Sequence, residues 1–79
     1  MNYERETRWG KVQIQQDRLD GTYTRLTYEG PRDAVIVAVA DNLNGTTQMY
    51  EHMFTVESIT PVDQHKLRVT CMRSNYAGD

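Results

Sequence analysis

Seventy-nine residues, 38% of them apolar and 25% charged, make a single domain near the lower size limit for a core that holds without disulfides or metal. A formal net charge of -2 with no block of like charge excludes a binder built on excess Lys and Arg, and it equally excludes an acidic nucleic-acid mimic. The single Cys71 excludes an intrachain disulfide and a multi-cysteine zinc site. No apolar run reaches the ~18 to 20 residues that span a bilayer, and the polar opening MNYERETRWG is unlike a signal peptide. The expectation is a cytoplasmic chain with no membrane partner.

Residues 1–9 read as a charged leader, with Trp9 expected to close one end of the core. Lys11-Val12-Gln13-Ile14-Gln15 alternates polar and apolar, the period of a strand with one wet face. Asp20-Gly21 supplies turn chemistry, and residues 22–29 (TYTRLTYE), rich in Thr and Tyr, form the returning strand of a first hairpin. The stretch GPRDAVIVAVADNLNG is the longest apolar run and has two readings, a buried strand or a helix. Pro31 just outside, Asp33 as N-cap and Gly45 as the stop favour a helix over residues 33–44. Its expected buried stripe is Ile36, Val39, Ala40 and Leu43, at i, i+3, i+4 and i+7.

Alternation resumes over residues 46–59, with Tyr50, His52, Phe54 and Val56 on one side and Met49, Met53, Thr55 and Glu57 on the other. Residues 61–64 read as a turn around Pro61. Residues 66–73 (KLRVTCMR) return with Leu67, Val69 and Cys71 on the core side, and 74–79 form a frayed tail. The predicted fold is therefore one α+β domain over residues 1–79, a four-stranded, mostly antiparallel sheet with one helix on one face, in the order β-β-α-β-β.

No pattern points to catalysis. His52 and His65 have no second ligand at a metal spacing, so a core-edge residue and a turn residue are the plainer readings. Cys71 between Val69 and its apolar neighbours reads as an inert buried thiol. The five glycines punctuate turns and tail and build no phosphate loop. The expectation is a non-enzyme with no metal and no cofactor.

Attention falls on the sheet face away from the helix, where parity places Gln13, Gln15, Tyr23, Arg25, Met49, Met53, Arg68 and Met72. Methionine gives adaptable apolar contact, and Tyr and Arg are enriched at interface hot spots. Tyr23, Arg25, Met53, Arg68 and Met72 are thus the candidate partner-binding residues. A solvated face carrying methionines by accident, a face covered by the N-terminal leader and Trp9, and a homodimer interface are the alternatives, and nucleic acid is a competing partner, since a sheet stacks bases on aromatics flanked by cations.

Taken together, VQIQQD, LDG and TYTRLTYE, the capped DAVIVAVADNLNG and MFTVESITP give an element order that resembles small phage-encoded inhibitors of host machinery, including anti-CRISPR proteins and phage inhibitors of host polymerase. The resemblance implies a non-enzymatic protein-binding inhibitor that blocks a surface of a host protein complex, such as a CRISPR defence complex. The alternative is a small nucleic-acid-binding regulator.

Overall fold

The computed structural model describes residues 1–19, 23–50 and 54–74, the helix beyond Asn42 by its backbone alone. In chain order the elements are β1 (Asn2–Thr7), β2 (Gly10–Arg18), β3 (Tyr23–Pro31), α1 (Arg32–Tyr50), β4 (Phe54–Pro61) and β5 (Lys66–Ser74). The fold is α+β: an antiparallel sheet in the order β1-β2-β3-β5-β4 with α1 laid over one face. Because β5 sits between β3 and β4, α1 carries the chain across one intervening strand.

The described sheet has five strands where the sequence predicts four. The fifth is the supposed leader, which pairs along β2 from Asn2 opposite Gln15 to Thr7 opposite Gly10. As an edge strand with little buried surface it shows no apolar alternation, so its sequence lacks the usual strand signal. The β1–β2 turn puts its positive φ, 130°, on Gly10, while the Thr7 hydroxyl accepts from the Trp9 N–H at 3.0 Å and donates to the Gly10 carbonyl at 2.8 Å. Trp9 does not close the core: it is 53% exposed, with the Arg8 guanidinium 5.5 Å from its ring centroid.

The predicted helix is present, but its ends and its buried stripe differ. It starts at Arg32, whose N–H donates to the His65 carbonyl at 3.1 Å, so Asp33 lies in the first turn instead of capping it. There its charge favours the positive end of the helix dipole. Gly45 does not stop the helix, which runs on to Tyr50 and takes in Met49 and the start of the expected third strand. Ala34, Val35 and Ala38 are the buried residues, with Val39 packed beside them; Ala40 is exposed and Ile36 is 54% exposed. Two alanines one turn apart let the helix backbone sit close on the sheet, which a stripe of larger side chains would hold off.

Under the helix, Val12 and Ile14 of β2, Leu26 and Tyr28 of β3, Phe54 of β4, and Leu67, Val69 and Cys71 of β5 complete the core. The alternation expected of β2, β3 and β5 is what the burial pattern shows. β4 departs from it. Phe54 is buried as expected, whereas Val56 is 42% exposed, because the core thins toward this edge. The β4–β5 connection spans residues 62–65 after Pro61 ends β4. The Asp63 carboxylate accepts the His65 and Lys66 backbone N–H groups at 2.7 and 2.9 Å, and the His65 bond is the main cause of a pKa below the ordinary Asp value. The turn chemistry of residues 20–22, His52, and the tail over 75–79 lie outside the described residues, while Ser74 belongs to β5.

Candidate functional site

The sheet face away from α1 is built by the second set of positions along each strand. Directly opposite residues of an antiparallel pair share a face, so the register assembles it row by row. Arg25 of β3 stands between Asp17 of β2 and Met72 of β5, and Met72 stands between Arg25 and Thr55 of β4. One pair along, Tyr23 lies opposite Ser74 and is 44% exposed. Tyr23, Arg25 and Met72 thus form one corner of the face. Arg68, four residues back along β5 from Met72, lies roughly 13 Å away, opposite Glu29 and Thr60.

Both arginines are engaged within the sheet. The Arg25 Nε reaches across β5 to the Glu57 carboxylate at 3.2 Å, and the Arg68 Nε meets Glu29 at 2.7 Å. The first pair depends on a β-bulge: the β4 register shifts between Val56 and Ser58, leaving Glu57 as the extra residue. On the far side of the face Gln13 donates to Glu4, Lys11 lies 3.9 and 3.8 Å from Glu4 and Glu6, and Gln15 donates to Asp17 at 2.8 Å. A shallow, open depression between them is lined by Asn2, Gln13, Ile14, Gln15, Thr27 and Glu29. The face grades from a polar, glutamine-bearing half to an aromatic and thioether corner.

Of the expected methionines only Met72 is placed on this face. Met49 belongs to the helix, and Met53 lies outside the described residues. The case for a methionine surface therefore contracts to one thioether beside one tyrosine. Sequence reasoning missed a second surface altogether. Val56 and Ile59 lie opposite the buried Cys71 and Val69, so both belong to the helix-side face of β4, yet they are 42% and 63% exposed. Val62 at the end of the hairpin is exposed as well. The bulge brings residues three apart onto one face, and strict alternation conceals it.

The buried polar groups are structural. Tyr28 lies under the helix with its hydroxyl hydrogen-bonded to the Asn42 side chain, and burial pushes its pKa from 10.0 up to about 12. Burial likewise pushes the Cys71 thiol up to about 11, with the Glu57 carboxylate adding to it, so the thiolate that would act as a nucleophile is suppressed. Among the described residues no group of three or more His, Cys, Asp and Glu side chains could hold a metal ion. No described helix is long and apolar enough to cross a membrane. Comparison with protein-family models, with curated proteins and with solved structures finds no match to this chain.

Proposed function

We propose that this chain is a non-enzymatic protein-binding module that acts by covering a surface of a larger protein complex in the cytoplasm. The observation that supports the reading is the corner of the open sheet face, where an exposed Tyr23 stands beside the Arg25–Met72 cross-strand pair. Tyrosine and thioether supply apolar area, and a guanidinium held by a neighbouring carboxylate meets a partner at little entropic cost. The resemblance of the stretches from VQIQQD through MFTVESITP, in the order expected from sequence, to small phage-encoded inhibitors suggests a host defence complex as the class of partner.

Charge favours protein over nucleic acid as the partner. Arg25 and Arg68 are already paired with Glu57 and Glu29, so neither offers a full uncompensated charge to phosphate. The matching test has two arms. Titration of labelled DNA and RNA at about 50 and 200 mM salt is expected to show no salt-sensitive binding, a contrast of conditions that shifts phosphate-driven affinity strongly. Affinity capture from bacterial lysate is expected to retain a protein that the folded Tyr23→Ala/Arg25→Ala variant loses. Binding to DNA or RNA that falls steeply with salt would favour the nucleic-acid regulator, and capture unaffected by the double substitution would remove this corner as the site.

A further inference from the structure

The two edges of the sheet are built differently. β1, NYERET, carries three consecutive charges at Glu4, Arg5 and Glu6, the usual protection against pairing with another chain. β4, FTVESITP, carries one charge, Glu57, and the pair with Arg25 draws that charge over the open face. The helix adds one apolar residue on the β4 side. Asp41 binds Arg5 of β1 at 2.6 Å, so its flank of α1 faces β1. At 3.6 residues per turn Val39, packed beside the core, falls on the opposite flank, toward β4, while Ile36 points away from the sheet. Exposed Val56 and Ile59 therefore border a strand edge that has no neighbour among the described residues.

β4 is also self-complementary. Read from either end it runs apolar, Thr, apolar, two polar residues, apolar, Thr, apolar: Phe54, Thr55, Val56, then Glu57 and Ser58, then Ile59, Thr60, Pro61. The bulge makes the symmetry three-dimensional, since Phe54, Val56, Ile59 and Pro61 are all opposite helix-side positions of β5, and Thr55 and Thr60 are opposite the open-face residues Met72 and Arg68. A two-fold axis between Glu57 and Ser58 would set Val56 against the second copy's Ile59 twice, and Thr55 against Thr60 twice. Each Glu57 would meet a serine and not its own copy, so the symmetric arrangement brings no like charges face to face.

We propose that β4 pairs antiparallel with β4 of a second copy, joining two sheets into one continuous sheet whose open faces lie on the same side. Val56 and Ile59 form its apolar centre, flanked by Val39 of each helix. The pairing gives the edge strand a ladder partner on the side that has none among the described residues, and it presents two Tyr23 corners on one surface. It does not rest on the proposed function, because it is argued from β4 alone and Tyr23, on β3, lies two strands away from the β4–β4 contact.

The test is sedimentation of the full chain from about 1 to about 200 μM, a range in which a dimer of modest interface dissociates on dilution. Wild type is expected to shift from monomer to dimer over that range. Val56→Glu and Ile59→Lys, both at exposed positions and checked for unchanged circular dichroism, are each expected to weaken association by roughly tenfold or more, because the two-fold buries every introduced charge twice. An equimolar mixture of the two variants is expected to dimerise again, since the introduced carboxylate and ammonium then lie opposite each other. Tyr23→Ala is expected to associate like wild type. A wild type that stays monomeric throughout, single variants that dimerise as well as wild type, or a mixture that fails to recover would each overturn the proposal.

Discussion

Gly30 shows how one residue sets the approach of two strands. A Cβ there would lie 2.8 Å from the Lys11 carbonyl oxygen and 3.4 Å from the Val12 Cα, both backbone atoms that cannot swing aside. We predict that Gly30→Ala forces β2 and β3 apart where the helix begins and costs roughly 1–3 kcal/mol, seen as a lower denaturation midpoint with an unchanged m-value. A midpoint equal to wild type would contradict the close approach. Tyr28 and Cys71 supply a second prediction at this scale. Both pKa values are raised in the folded chain, to about 12 and about 11 from 10.0 and 9.0, so the native state holds these protons more tightly than the unfolded one. The stability linked to them is complete below pH 9 and is lost as pH rises toward 11 and 12. Chemical unfolding over that range should show the decline, with Cys71→Ala flattening its lower part and Tyr28→Phe its upper part. An equally steep decline in both variants would rule out these groups as its cause.

At the scale of elements, the helix tests how far periodicity reaches. Residues 34–40, AVIVAVA, are apolar on every side, so the stripe from Ile36 and the stripe from Ala34 fit helical spacing equally well. The sheet breaks the tie, because Ala34 and Ala38 allow an approach that isoleucine and valine would prevent. Ala38→Leu is accordingly expected to destabilise by about 1–3 kcal/mol through overpacking, while Ile36→Ser stays within about 0.5 kcal/mol of the wild-type monomer at low concentration. The reverse ranking in thermal or chemical unfolding would restore the stripe that the sequence suggests. β2, β3 and β5 were legible because each has one dry and one wet face, and Val12, Ile14, Leu67, Val69 and Cys71 alternate accordingly. β1 was not, since an edge strand of charged residues carries no such signal, and neither was the bulge that sets Val56 and Ile59 on one side. Tyr23, Arg25, Arg68 and Met72 fell on the anticipated face by parity alone, but their engagement with Glu57 and Glu29 depends on strand order, which parity does not give.

For the whole molecule, the proposed function follows from a two-layer arrangement, with one helix over five strands among the described residues. One face of the sheet is covered; the other has no second layer among the described residues, and the edges differ in charge. The proposed partner surface on the open side and the proposed self-pairing at β4 both depend on that asymmetry. Thiol labelling reads it directly. With the native Cys71 as an internal reference beneath the helix, Tyr23→Cys places a second thiol on the open face. The account predicts that, in dilute native protein near neutral pH, the introduced thiol reacts at the rate of an exposed cysteine while Cys71 reacts only on unfolding. Fast native-state labelling of Cys71, or protection of the thiol at position 23, would contradict it.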